Sequence, residues 1–317
     1  MEALTLFDPA SLALGPTLFW QQPETKQSVL EFFAARIRNP NTRAAYLEAL
    51  KQFAEWAAVL GKEITDLSAV DVACYVENHA GSLPTVKQHL SAVKRFLDFL
   101  TTRGHLPFNP ALSVKAPRFS DTQGKTAFLA DEEPQQLLSA IDTSTLAGLR
   151  DRALIAAMLY TFARVSAVTN MRVEDYAPRG KRWWFTLHEK GGKRHRVPAN
   201  HKLEEAMDAY LAKAGICTQG ETPLFRRIHG PSDTLLPQGI TRQAAFMMVR
   251  RRAEAVGLPP VFGCHSFRAT GITAFRKNGG SLEKAQQIAA HASSSTTKLY
   301  DRSLEEVTME EVERIRV

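Results

Sequence analysis

Arg164, Lys190, His265, Arg268, His291 and Tyr300 are residue types that together can break a phosphodiester without a metal. Guanidinium is planar, permanently charged and bidentate, so two arginines can fork onto the non-bridging oxygens of one phosphate. A tyrosine hydroxyl can act as a covalent nucleophile, turning one difficult displacement into two easier ones. Histidines and a lysine can move the protons that the attacking and leaving oxygens lose or gain. None of these residues carries the argument alone; their local context does. Arg164 stands in Phe162-Ala163-Arg164-Val165-Ser166, and Lys190 in Glu189-Lys190-Gly191-Gly192-Lys193. His265 and Arg268 lie three residues apart, on one face of a helix. His291 precedes Tyr300 by nine residues.

Taken singly, each has a plainer reading. An arginine after an apolar run is costly without a partner, so Arg164 alone reads as half of a structural salt bridge. An isolated histidine is a surface or core residue, and an average tyrosine packs in a core or an interface. The order and spacing of the set override these readings. That set resembles the tyrosine recombinase (phage integrase) family over nearly the whole chain. The family pattern is Arg-hydrophobic-Ser near a helix start, a Lys-Gly-x-Lys hairpin, His-x-x-Arg, a His or Trp, and a Tyr nine residues further on. Residues 164–168, 189–198, 265–272 and 291–302 follow it in order and spacing. One position departs from it: Ala167 stands where the family usually has Glu, which removes a group expected to orient the first arginine.

The resemblance implies a site-specific DNA recombinase with no cofactor. Tyr300 would attack the phosphate, leaving a 3′-phosphotyrosyl bond and a free 5′ hydroxyl. Bond energy is kept in the phosphotyrosine, so neither ATP nor a metal is called for. Arg164 and Arg268 would clamp the phosphate and stabilise its transition-state charge. Lys190 would protonate the leaving 5′ oxygen, with Lys193 as its rival. His265 would be the general base, and His291 would hydrogen-bond a non-bridging oxygen. The implied partners are double-stranded DNA with an inverted-repeat core site and further copies of the chain. These would form a tetrameric synapse that exchanges C-terminal helices and passes through a four-way junction, with room for accessory DNA-bending proteins. Two other readings remain: strand relaxation of the type IB topoisomerase kind, and a catalytically silent DNA-binding protein, which Ala167 favours.

Composition supports a polyanionic partner. The net charge is +7 and the pI near 9.4. The excess is concentrated: Arg179 to Arg196 holds seven basic residues against one acid, Glu189, whereas residues 1–120 hold 12 basic against 11 acidic. Lys193, Arg194 and Arg196 are therefore candidate DNA-backbone contacts. So are Arg43, Lys87, Lys94 and Arg95 in the first part of the chain. No run approaches the ~20 apolar residues of a membrane span, and three scattered cysteines fit a reduced cytoplasm without metal-ligand spacing.

The elements that must position these groups are mainly helical, with a small antiparallel β-sheet. Residues 1–25 read as a tail, 26–112 as a helical DNA-clamping domain, 113–127 as a linker and 128–317 as the catalytic domain. In the first domain Asn41-Thr42-Arg43 caps a long helix carrying Tyr46, Leu50, Phe53 and Trp56 on one stripe. Ser68 with Asp71 forms a capping box for a third helix. Pro84 opens a fourth, bearing Val86, Leu90, Val93, Phe96 and Leu97, with Lys87, Lys94 and Arg95 opposite. In the second domain, the apolar run Ala153 to Tyr160 suits a buried helix. Trp183–Leu187 and Arg194–Val197 read as strands flanking a glycine turn. Helices follow from His201, over Thr241–Ala255 and over Ser266–Lys277. A last short helix, boxed by Thr308 and Glu311, is too short to stand alone and reads as the subunit link.

Overall fold

The structure is a computed structural model that describes residues 23–118, 124, 126–130, 132–189, 192–302 and 313, with side chains from residue 27. Lys190 and the expected helix beginning at Thr308 lie outside the described residues. The chain divides into two compact units at Ser120–Asp121, inside the stretch expected as a linker. No described helix is long and apolar enough to cross a membrane.

In the first unit, α1 (Pro23–Glu31) runs into a π-helical turn over Phe32–Arg36. Then follow α2 (Pro40–Val59), α3 (Ala69–Glu77) and α4 (Leu83–Thr102). The start of α2 lies earlier than the sequence suggested. Asn39, not Asn41, is the cap: its side chain accepts from the amides of Asn41 and Thr42, and Pro40 fills the first turn, where a missing N–H costs nothing. The Ser68–Asp71 capping box forms as read, and Lys62 adds an ion pair to Asp71 at 2.8 Å. Val86, Leu90, Val93, Leu97 and Leu100 recur at helical spacing on α4 and are buried in a core with Phe32, Phe53 and Phe96. Phe32 and Phe96 meet edge to face at 5.2 Å.

The second unit is built around α6. After α5 (Glu133–Ser139), α6 (Leu146–Thr161) is buried on nearly all sides, Ala153 through Met158 being essentially inaccessible. Short α7 (Val165–Thr169) leads to a three-stranded antiparallel sheet of β1 (Tyr176–Arg179), β2 (Arg182–His188) and β3 (Arg194–Pro198). The sequence showed only β2 and β3; β1 adds a strand across the turn at Gly180. Phe185 faces Val197 across the β2–β3 ladder, and both are buried. Arg194 and Arg196 alternate with Val197 and are exposed. Gly192, at a φ of 77°, takes the left-handed turn that precedes β3.

Beyond α8 (His201–Ala214), β4 (Arg226–His229) and β5 (Thr234–Gly239) form a second antiparallel ribbon that the sequence did not reveal. The unit continues with α9 (Arg242–Glu254), α10 (Cys264–Lys277), α11 (Leu282–Ile288) and α12 (Ser294–Lys298). Asp151 on α6, almost wholly buried, ties α6 to α9 through Arg252 at 2.8 Å and also accepts from Arg150. α10 packs against α6 so closely that a Cβ at Gly271 would stand 2.3 Å from the Leu159 carbonyl oxygen. Only glycine permits that approach.

Candidate active site

Arg164 is placed by the way α6 ends. Phe162 takes a left-handed backbone at a φ of 53°, uncommon for a bulky residue, and turns the chain so that Arg164 becomes the N-cap residue of α7. The Arg164 side chain is one-third exposed, and its Nη1 donates to Oε2 of Glu189, at the end of β2. The sequence reading missed Glu189. Its only signal was that it is the single acid in the basic stretch and precedes Lys190.

His265 and Arg268 come from the first turns of α10. Arg268 is the largest fully buried side chain among the described residues, 1% exposed. Its Nη1 donates to the Phe162 carbonyl and its Nη2 to the Ala289 carbonyl, while Nε donates to His291 Nε2 at 3.1 Å. Burial pulls its pKa down to about 10, helped by the charge of Arg164 and opposed by Glu189 and Tyr300. Arg268 therefore remains a cation at neutral pH. Guanidinium has five N–H groups. These three bonds leave one on each terminal nitrogen for a ligand.

His291 follows a left-handed residue, Ala290 at a φ of 49°, that ends the turn after α11. Because Arg268 Nε can only donate, His291 Nε2 must accept. The ring proton then sits on Nδ1 and is donated to Thr297 Oγ1 at 2.9 Å. Desolvation first, then the charges of Arg268 and Arg164, push its pKa down to about 3. In this arrangement the ring keeps no N–H for a phosphate oxygen. Its accepting nitrogen is taken up by Arg268 Nε.

Tyr300 follows α12. Its ring stacks on His291 with centroids 5.5 Å apart and planes 16° apart, and the Arg268 guanidinium carbon lies 5.8 Å from the tyrosine ring centroid. Thr273 on α10 holds the backbone around it, donating to the Tyr300 carbonyl at 3.2 Å and accepting from the Arg302 amide at 3.1 Å.

His265 is exposed as a residue. Its pKa is lowered by partial desolvation, then by the charges of Arg268 and Arg164. The sign matters for a base: lowering the pKa keeps the imidazole neutral to lower pH. If His265 takes the nucleophile's proton, the acid limb of cleavage should lie below the ordinary histidine value of 6.5. A single-turnover pH series checks this. An acid limb centred above 6.5, or one unchanged in His265→Gln, would remove His265 from the role. Cys264 beside it is buried, which pushes its thiol up to about 11 and leaves it inert at neutral pH.

Five of the six residues singled out as catalytic thus meet in one cluster, and the sixth, Lys190, lies outside the described residues. Among the candidate DNA contacts, Lys193, Arg194, Arg196, Lys87 and Arg95 are exposed. Lys94 is half-buried, with Nζ 3.4 Å from the Leu112 carbonyl. Arg43 is committed to structure: Nε and Nη2 both donate to the Ile37 carbonyl, at 3.2 and 2.9 Å, closing the turn before α2.

Comparison with known proteins agrees with this geometry. Residues 127–306, more than half of the chain, match the phage integrase family, and residues 30–104 match the phage integrase N-terminal SAM-like domain. Tyrosine recombinase XerD of Listeria monocytogenes is 26% identical over 271 residues, covering 82% of this chain and 87% of its own. A tyrosine recombinase of Synechococcus elongatus is 26% identical over 324 residues, covering 95% and 93%. The fold is similar to that of XerH site-specific recombinase bound to palindromic difH substrate, with a TM-score of 0.71 at 17% identity, covering 97% of this chain and 93% of that one. It is also similar to a lambda integrase tetramer bound to a Holliday junction, with a TM-score of 0.67 at 16% identity, covering 89% and 78%. The chain therefore belongs to the phage integrase family and is a tyrosine-type site-specific DNA recombinase.

Proposed function

We propose that Tyr300 attacks a phosphodiester of duplex DNA held by Arg164 and Arg268, forming a 3′-phosphotyrosyl bond and releasing a 5′ hydroxyl. The 5′ hydroxyl of a partner strand then attacks that bond and restores the phosphodiester. Two such rounds, by copies of the chain gathered on two duplexes, exchange the strands through a four-way junction. His265 takes the tyrosine proton, and Lys190 returns one to the leaving oxygen, with Lys193 as the rival. Lambda integrase as a tetramer on a Holliday junction supports the four-way intermediate and the use of several copies. An inverted-repeat core site, accessory DNA-bending proteins and a cytoplasmic setting belong to the same reading. So does the division into a tail, a clamping domain over 26–112, a linker and a catalytic domain from 128, the last ending in an exchanged C-terminal helix.

The observation that carries the proposal is the convergence of two arginines, two histidines and a tyrosine on α7, α10 and the turns flanking α12. Desolvation and nearby arginine charge favour the neutral form of both histidines, while Arg268 stays a cation. A duplex nicked just beyond the scissile phosphate tests it, because loss of the short leaving strand traps the covalent complex. The protein should remain attached to the 3′ phosphate. Attachment to a 5′ end, or relaxation of supercoiled DNA with no exchange between duplexes, would overturn it.

Lys193, Arg194 and Arg196, with Lys87, Lys94 and Arg95 in the first unit, are proposed to neutralise phosphates. Each replacement by alanine should then lower the slope of log affinity against log salt by about 0.9. Arg43→Ala should mainly cost stability, since its guanidinium supports the Ile37 carbonyl. An unchanged salt slope in Arg196→Ala would remove that residue from the interface.

A further inference from the structure

The clamp arginine Arg164 needs an acid behind it, and position 167 does not supply one. Ala167 on α7 is 1% exposed and packs within the hydrophobic core of its unit. The acid arrives from the sheet instead. Glu189 lies just past β2, where its amide donates to the Lys193 carbonyl at 2.7 Å and so fixes it to the far arm of the hairpin. Its side chain is 3% exposed, against 33% for Arg164. Oε2 accepts from Arg164 Nη1, and Oε1 is buried with no hydrogen-bond partner among the described residues. A buried carboxylate with one oxygen unpaired is costly. Here that cost is borne beside two arginines whose charges repel each other. The negative charge of Glu189 opposes that repulsion, favouring the charged form of Arg268 as well. The pair holds one side of Arg164 and leaves its other N–H groups on a side chain that is one-third open.

We propose that Glu189 is the positioning residue for Arg164, doing from the β2–β3 hairpin what an acid at position 167 would otherwise do. This rests on the assignment of Arg164 to the phosphate. The absence of an acid on α7 is then a relocation of the support and not its loss.

The test uses the full-length protein and single-turnover formation of the covalent adduct on a nicked duplex. Glu189→Gln keeps the shape and removes the charge. It should slow adduct formation by about tenfold to hundredfold, with DNA affinity at fixed salt and the melting temperature close to wild type. Glu189→Asp should recover part of the rate. The decisive measurement is a double-mutant cycle with Arg164→Ala. If Glu189 acts through Arg164, adding Glu189→Gln to Arg164→Ala should cost less than about twofold further. A merely structural acid would slow both backgrounds equally and lower the melting temperature. Glu189→Gln at wild-type rate, or its full effect persisting on Arg164→Ala, overturns the proposal. If Glu189→Gln does not fold, Glu189→Asp carries the same cycle. Arg164→Ala at wild-type rate would overturn the phosphate assignment itself and this inference with it, and that result does not depend on Glu189.

Discussion

Tyr300→Phe should abolish the covalent protein–DNA adduct on a nicked duplex, a loss of about 10⁴-fold or more in single-turnover rate, while DNA affinity stays at the wild-type level. The substitution removes one oxygen and little else. The ring that stacks on His291 at 5.5 Å and lies under the Arg268 guanidinium is common to both side chains. Thr273 holds the local backbone through main-chain groups that no side-chain change disturbs. Loss of activity with an unchanged melting temperature would therefore report chemistry alone. An adduct of normal yield from Tyr300→Phe would mean that another residue is the nucleophile.

Arg268→Ala should fail in two ways that can be measured separately. The guanidinium fills a site with 1% exposure and satisfies the carbonyls of Phe162 and Ala289. Its removal leaves buried acceptors unpaired and a cavity between α10 and the turn after α11. A loss of about 2–4 kcal/mol in stability follows, visible as a lower denaturation midpoint. Adduct formation should fall by about 10²–10³-fold or more, the scale for removing one donor to developing transition-state charge. Arg268→Lys separates the two effects. It restores the charge but not the fork, and one ammonium cannot serve two carbonyls, a histidine nitrogen and a phosphate together. Its stability should recover further than its rate. An Arg268→Ala protein that cleaves normally would show that the buried arginine is architectural.

The helices that hold the site were legible because their apolar residues recur at helical spacing and their ends carry chemical signals. α4 shows both, with Val86, Leu90, Val93 and Leu97 on one stripe and a proline in its first turn. Asn41 was the wrong cap for α2 because Asn39, Asn41 and Thr42 are all good capping types. Pro40 decides between them, since it belongs inside the first turn. β1 was hidden by Pro178 and by its four-residue length, and β4 by a polar run, Arg226–His229, with little alternation to read. At the site, residue types and order single out Arg164, His265, Arg268, His291 and Tyr300 as candidates, because reaction chemistry restricts those types. Glu189 was not legible. Its pairing joins positions 25 apart across a turn, and nothing local marks an acid in a basic hairpin as buried.

Thr273 has a consequence for how copies of this chain would share the work. It stands on the helix that carries His265 and Arg268, and it holds the backbone on both sides of the Tyr300–Arg302 segment. On the proposed assignment, nucleophile and clamp are therefore roped together within one polypeptide. An assembly would hold as many whole cutting centres as it has members, none lending a tyrosine to its neighbour.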